Sequence, residues 1–307
     1  MEIFLSIFFN LLPLYVLIGI GWFAGRYFEI QRQTLANLAL FVLMPVMIFG
    51  FTAQLDLQPA YILLPFVMLA IQSCVAFAFL YVGRLVYQDN TPNLLAMCTA
   101  MGNFGYMGLP IVLLLFPVEM IGIYMFFLLG NILFEASVGY YIGARGNFTV
   151  QQSFKKLMHF PAIYAVFLGL IVNWAQWSLP TVFFTYLEYF KGAYILSGMM
   201  IIGVALARVE KIVLGPRFLA LVFVGKFIAW PFCAFLVVGF DSLVTNLFTQ
   251  DIHRILLILS LVPPGANIAA FATQLNLTPE KAATTVLLGT IFALFYIPFV
   301  FYLMNGF

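Results

Sequence analysis

The sequence predicts an all-α integral membrane protein in which ten transmembrane helices form two inverted five-helix repeats, with helices 4 and 9 broken and crossing at the bilayer midplane. Three observations predict this fold class. The 307 residues are 64% hydrophobic and 8% charged, with a mean hydropathy of +1.09, whereas soluble domains carry about 25% charged residues. The apolar runs have the length of a membrane-spanning helix, about 20 residues. Proline, tyrosine and glycine positions in the first half recur in the second.

The apolar runs between charged and turn residues define the ten helices. Helix 1 follows Met1-Glu2 directly, without the basic region and cleavage site of a signal peptide, so we expect it to remain in the membrane. The loops are short, and the longest polar stretch covers residues 145–159. The predicted helices span residues 3–25, 34–53, 60–83, 91–116, 119–144, 160–177, 187–207, 217–240, 253–274 and 280–304.

Local signals set several of these boundaries. Helices 1 and 3 end where the apolar run meets Arg26 and Arg84. Helix 5 begins at Pro117-Val118-Glu119 and helix 10 at Pro279-Glu280, because proline at the first helical position followed by an acid favours a helix start.

The two halves of the chain share a pattern in the same order. With five crossings in each half, an odd number, the second half must lie upside down relative to the first. Residues 1–147 and 148–307 are therefore the predicted inverted repeats, an architecture typical of secondary transporters. The matching positions are Pro13, Tyr15 and Gly19 with Pro161, Tyr164 and Gly169, Pro45 and Gly50 with Gly198 and Gly203, and Gly130 with Gly289.

The basic residues predict the orientation. Loops after helices 1, 3, 5, 7 and 9 hold ten of them and the opposite loops hold two, so the first set is cytoplasmic and both termini lie outside. The ten are Arg26, Arg32, Arg84, Arg145, Lys155, Lys156, Arg208, Lys211, Arg217 and Lys281, and the two are Lys191 and Arg254.

Helices 4 and 9 contain residues that interrupt a helix near its centre. Residues 101–110 of helix 4 hold three glycines and a proline, and residues 263–267 of helix 9 read Pro-Pro-Gly-Ala-Asn. Glycine weakens a helix and proline removes one of its hydrogen bonds. Tolerated kinks are the alternative interpretation, but paired breaks in two inverted halves favour a transport site.

Each predicted break exposes backbone N–H groups at the start of a half-helix, which favour an anion. The asparagine at each break adds a neutral donor and acceptor, so the site suits a carboxylate with a polar group. The predicted substrate-binding residues are Asn103, Gly105, Tyr106, Pro110, Pro263, Pro264 and Asn267.

The helix 4 stretch, residues 102–110 (Gly-Asn-Phe-Gly-Tyr-Met-Gly-Leu-Pro), resembles the Asn-x-Gly-x-x-Gly-x-Pro signature of the bacterial auxin efflux carrier family, transporters related to the plant auxin exporters. Residues 263–267 and 282–290 are similar to the C-terminal pattern of that family, and the resemblance covers essentially the whole chain. Two features depart from the plant branch. The central loop is short, and Asn103 is followed by Phe104 rather than proline.

The resemblance implies a scaffold of helices 1, 2, 6 and 7 and a transport domain of helices 3–5 and 8–10, crossing at the breaks. It implies carriage of organic anions such as auxin-like acids or dicarboxylates across the bacterial cytoplasmic membrane, with a homodimer through the scaffold as a further expectation.

Two ionisable residues lie deep in predicted helices. Glu135 is ten residues from Arg145, and Lys226 is nine from Arg217, so both sit about 14 Å inward of the cytoplasmic charges at about 1.5 Å per residue. Intramembrane charges are functional candidates. We keep three interpretations open: a structural ion pair, proton coupling, and exposure to water without coupling.

Other functions have less support. The sequence lacks hydrolase and metalloprotease motifs, and its three cysteines lack metal-ligand spacing, so we predict no enzyme, metal or cofactor. A channel needs charge rings or a filter loop, and a net charge of +2 gives no reason to expect nucleic acid. A sodium-coupled organic anion symporter of related fold is the alternative carrier, and protons are the alternative coupling ion.

Overall fold

The computed structural model describes residues 2–28, 30–145, 151–152, 155, 158–209, 212–213 and 215–304. Throughout these ranges the regular elements are helices, and the single β-type pairing joins Gly102 and Pro264. The predicted all-α class is therefore confirmed. Seven of the helices are long and apolar enough to cross a membrane.

We number the helices α1 to α12 in chain order. Several contain a turn of π-helix or 3-10 helix, which is included in the bounds. They are α1 (Glu2–Tyr27), α2 (Arg32–Gln54), α3 (Pro59–Val86), α4 (Thr91–Ala100), α5 (Phe104–Leu115), α6 (Val118–Phe134, continued by Glu135–Gly139 and Tyr140–Gly143), α7 (Pro161–Trp174), α8 (Thr181–Ala207), α9 (Pro216–Thr245), α10 (Gln250–Leu261), α11 (Ile268–Gln274) and α12 (Pro279–Leu303).

Predicted helices 4 and 9 are each divided in two, as α4 with α5 and α10 with α11. Two other boundaries were wrong: α8 begins at Thr181 rather than 187, and α9 continues to Thr245 rather than 240. Charged residues near these ends resemble loop signals in the sequence but lie inside helices. The boundary at 147–148 and the side chains of Lys156 and Lys211 fall outside the described residues.

The charges at these two helix ends are satisfied locally. On α8, Lys191 Nζ lies 3.2 Å from Glu188 Oε2, one turn away. On α9, the Asp241 carboxylate accepts hydrogen bonds from the backbone N–H of Leu247 at 2.9 Å and of Phe248 at 3.2 Å. These bonds satisfy the Asp241 charge within the helix, so this charged residue does not mark the end of α9. The predicted helix 187–207 already included Glu188 and Lys191, so their charges do not account for the misplaced start of α8.

Two helix pairs have the most extensive contacts. α1 lies along α8, and α2 lies along α7. A Cβ added at Gly203 of α8 would overlap the backbone of α1 at Ile18 and Trp22, so the absence of a side chain permits the contact. The Asn173 amide of α7 donates to the Leu55 carbonyl at the end of α2 at 2.6 Å.

The other helices form further packed pairs. α3 contacts α4 and α6, α12 contacts α11, and α9 packs against α10. α4 begins beside Asp89, whose carboxylate accepts from the backbone N–H and the hydroxyl of Thr91 at 2.9 and 3.0 Å. These bonds lower the pKa of Asp89 because they favour its ionised form.

The outer surface of α1 is apolar. Its exposed side chains recur at three- and four-residue intervals, which places them on one face of the helix. A continuous exposed apolar stripe indicates contact with lipid or another protein. The stripe consists of Leu5, Phe9, Leu12, Val16 and Ile20.

Candidate functional site at the helix crossing

The two helix breaks meet and pair through their backbones. α4 ends at Ala100 and α10 ends at Leu261. Between the breaks, the Asn103 N–H donates to the Pro263 carbonyl at 2.8 Å, and the Gly265 N–H donates to the Met101 carbonyl at 2.9 Å. These bonds satisfy backbone groups that the missing helical turns leave free, as burial in an apolar protein requires.

The glycine-rich sequence of helix 4 permits this crossing. The Tyr124 hydroxyl of α6 donates to the Phe104 carbonyl at 2.6 Å, at the start of α5. A Cβ at Gly108 would overlap that hydroxyl. Gly108 therefore leaves the space that the tyrosine needs to satisfy a carbonyl at the break.

A cavity of about 300 Å³ lies beside the crossing. Four predicted binding residues line it, namely Asn103, Gly105, Tyr106 and Asn267. Pro110 is the second residue of the α-helical part of α5, and Pro263 and Pro264 take part in the backbone pairing. These three prolines shape the break and are absent from the cavity wall.

Arg32 also lines the cavity, although the sequence places it among the charges of a cytoplasmic loop. Its Nη2 donates to Asn267 Oδ1 at 2.7 Å. A helical pattern could have revealed it, because four of the five α2 residues that line the cavity recur every four positions. These four are Arg32, Ala36, Leu40 and Met44, and the fifth is Gln33.

Several buried donors around the cavity have no hydrogen-bond partner within the described parts of the chain. They are Arg32 Nε and Asn103 Nδ2, together with the Tyr106 hydroxyl, which faces the Asn267 side chain without a well-formed bond. Buried donors are normally satisfied. Their concentration at one cavity indicates a site for a ligand that carries acceptors.

Glu135 faces the same cavity. Its Oε1 accepts from the Asn131 side chain at 3.1 Å, and Asn131 Oδ1 accepts from Gln72 Nε2 at 2.9 Å. Gln72 Nε2 also lies 3.2 Å from the Ala100 carbonyl at the end of α4. A polar network therefore links the carboxylate of Glu135 to the helix break.

Lys226 lies beside the start of α5 and is not part of the cavity wall. It is 0% exposed, and its Nζ is 4.9 Å from the Phe104 ring centre and 4.7 Å from that of Trp230. Nζ has no hydrogen-bond acceptor within the part of the chain that the structure describes. The rings supply cation–π contacts, and pairing or proton exchange with Glu135 stays a prediction.

A second cavity, of about 510 Å³, adjoins the first and shares Arg32, Ala266 and Ala270 with it. It extends to Arg208 at the end of α8 and Glu280 at the start of α12. Among the described residues, no group of three or more His, Cys, Asp or Glu side chains is placed to hold a metal ion.

Comparisons with known proteins agree on the class of the protein. The model of the family described as "Membrane transport protein" matches residues 6–301. An uncharacterized transporter of Methanocaldococcus jannaschii, MJ1031, is 24% identical over 298 residues, which cover 92% of this chain and 94% of that protein. The chain therefore belongs to the membrane transport protein family, the auxin efflux carrier family that the helix 4 signature indicates.

Proposed function

We propose that the protein is a secondary carrier that moves a small organic anion across the membrane by alternating access. The observation that carries the proposal is the cavity at the helix crossing, where a guanidinium and unsatisfied donors of Asn103 and Tyr106 converge. A carboxylate offers about four acceptor positions on two oxygens and would satisfy such a set. The volume of the cavity, about 300 Å³, lies at the lower end of the range for small-molecule binding sites.

The proposal includes the two inverted repeats and their division into scaffold and transport domain. Helix packing supports it: α1 pairs with α8 and α2 pairs with α7, the arrangement that exchanging the two halves would give. The two breaks also cross each other. In this scheme α1, α2, α7 and α8 form the scaffold, and the helices that carry the breaks move against it.

The cavity faces the cytoplasm in the proposed orientation, with both termini outside the bacterial cytoplasmic membrane. Arg32, Phe160 and Gln274, at helix ends assigned to the cytoplasmic side, contribute to its wall. On the opposite side of the break, Leu109 and Val112 of α5 are 0% exposed. The conformation is thus inward-facing, with the outer path closed by packed side chains.

Counterflow in proteoliposomes tests the carrier. Vesicles loaded with unlabelled malate or indole-3-acetate should transiently accumulate the labelled acid, because a carrier exchanges its substrate. If neither acid stabilises the protein, a thermal-shift screen of other carboxylic acids identifies the acid to use in the counterflow assay. Flux without saturation or counterflow would contradict the proposal and indicate a channel.

The same vesicles distinguish the coupling ions. Acceleration by an inward proton gradient supports proton coupling, and dependence on external sodium supports the symporter alternative. We propose that the protein forms a homodimer through the scaffold helices. The molecular mass of the detergent-purified protein tests this proposal.

A further inference from the structure

We infer that Arg32 is the residue that binds the substrate carboxylate, and that the carboxylate takes the edge of the guanidinium now shared with Asn267. This assignment rests on the proposed function and deepens it. It means that substrate binding would change the contact between Arg32 of α2 and Asn267, which precedes α11.

The guanidinium of Arg32 has one edge that is incompletely used. The Nε–H bond and one N–H bond of Nη2 lie parallel in the guanidinium plane, along one edge, and such a pair of N–H groups matches the two oxygens of a carboxylate. Nη2 donates to Asn267 Oδ1 at 2.7 Å and lies 3.4 Å from the Ala266 carbonyl. Nε is buried and finds no acceptor in the described chain.

The acceptors that Arg32 now has are neutral. An amide oxygen gives a weaker bond to a guanidinium than a carboxylate does, because the carboxylate adds its charge. A carboxylate would also satisfy Nε, which Asn267 leaves unpaired. Exchange of the amide oxygen for a carboxylate is therefore favourable at this edge.

The other groups of the cavity fit the same ligand position. Arg32 is the one cationic side chain among the described residues that line the cavity. Once its oxygen is displaced, the Asn267 amide can turn its NH2 group toward the carboxylate, and Asn103 Nδ2 and the Tyr106 hydroxyl are further donors on the same wall. Phosphate and sulfonate groups offer acceptors too, but their tetrahedral oxygens fill more of a cavity of about 300 Å³.

The Arg32–Asn267 bond joins the two helix groups. Arg32 begins α2, which packs along α7, whereas Asn267 directly precedes α11, which packs against α12. In this structure the bond holds the break against the scaffold helix. A ligand shifts a conformational equilibrium by its differential affinity for the two states, so displacement of Asn267 by the substrate weakens one contact that opposes movement.

The first test measures binding of the malate or indole-3-acetate that stabilises the wild-type protein, by isothermal titration. Arg32→Gln should weaken binding by about tenfold or more, because it removes a charged hydrogen-bond donor pair. Arg32→Lys should recover only part of the affinity, since an ammonium lacks the planar fork. Arg26→Gln, an exposed change at the end of α1, is the control and should leave affinity unchanged.

The matched amide or methyl ester of the same acid shows which group Arg32 recognises. Wild type should prefer the acid over its amide by about tenfold or more, and Arg32→Gln should lose that preference because the bidentate charge pair is gone. Thermal unfolding shows whether the Arg32→Gln variant is folded. If it is folded and binds the acid with the same affinity as wild type, the assignment is overturned. Absence of binding and counterflow for every acid in wild type would instead contradict the proposed function.

Asn267→Asp tests whether the substrate and residue 267 share the guanidinium edge. The aspartate would be a tethered carboxylate placed where Asn267 Oδ1 now lies, 2.7 Å from Nη2. We expect a higher unfolding temperature without ligand and a loss of acid binding of about tenfold or more, because a charged acceptor occupies the fork. Acid affinity equal to wild type in Asn267→Asp would show that the substrate does not use this edge.

Discussion

Arg32 illustrates what a chain position does and does not reveal about a side chain. Counting charges places it in a cytoplasmic loop, but its guanidinium is in the cavity. Charge counting records the depth of a residue and carries no information on where a long side chain points. Asn103 and Asn267 were predictable because glycine and proline mark the breaks beside them.

Asn103 supplies an unsatisfied donor to the cavity and is 2% exposed. Asn103→Ala should weaken binding of the acid about 10- to 100-fold, because a hydrogen bond to a charged group contributes about 1.5–3 kcal/mol. Isothermal titration measures the change. Asn37→Ala, at an exposed position on α2, is the matched control; affinity retained in Asn103→Ala would place the site elsewhere.

Glu135 is the acidic residue of the cavity wall and accepts from Asn131 at 3.1 Å. If its carboxylate exchanges the coupling proton, Glu135→Gln should remove most of the pH dependence of uptake, because the amide keeps the shape but does not titrate. Uptake rates of proteoliposomes across acidic to neutral pH measure this. Glu188→Gln, which alters an exposed charge on α8, should keep the wild-type profile, and a wild-type profile in Glu135→Gln rules the role out.

Helix breaks were easier to predict than helix ends. Proline and glycine act on the backbone of their own helix, so residues 101–110 and 263–267 reveal the breaks directly. The second half-helix of helix 9, α11, has seven residues, and its first N–H, from Ile268, bonds to the Gly265 carbonyl at 3.0 Å. The predicted anion-binding terminus there is therefore partly used by the protein itself.

The close contact between α1 and α8 depends on Gly203. Gly203→Ala should destabilise the protein by about 1–3 kcal/mol, because the new methyl group meets the α1 backbone in a packed interface. Thermal unfolding in detergent measures the loss. Gly192→Ala on the same helix adds a methyl group with nothing within 4 Å and should raise stability by about 0.5–1 kcal/mol; equal unfolding temperatures of the two variants would contradict this account of the contact.

The whole molecule combines features that the sequence reveals to different degrees. Composition and hydropathy reveal a helical membrane protein because they sum over all residues. The rotation of each helix about its axis is set by packing between distant segments, such as Gly203 against Ile18, and no local pattern encodes it. The cavity wall depends on those rotations, which is why the breaks were predictable and the complete set of lining residues was not.

The proposed inward-facing orientation predicts which faces admit water. In a variant without native cysteines, Gln274→Cys in the cavity wall should react with a membrane-impermeant maleimide from the cytoplasmic side, and bound substrate should slow the reaction. Gln250→Cys, exposed at the start of α10, should react only from the opposite side. Labelling of both positions from one face would contradict the orientation.

The backbone bonds between Asn103 and Pro263 and between Gly265 and Met101 make the two breaks one body. Asn103 and Asn267, one from each half of the chain, then travel together, whereas Arg32 stays with the scaffold helix α2. We therefore expect the affinity for the substrate carboxylate to be higher on the cytoplasmic side, where Arg32 reaches the cavity. The concentration gradients, rather than the chemistry of the site, would set the direction of net flux.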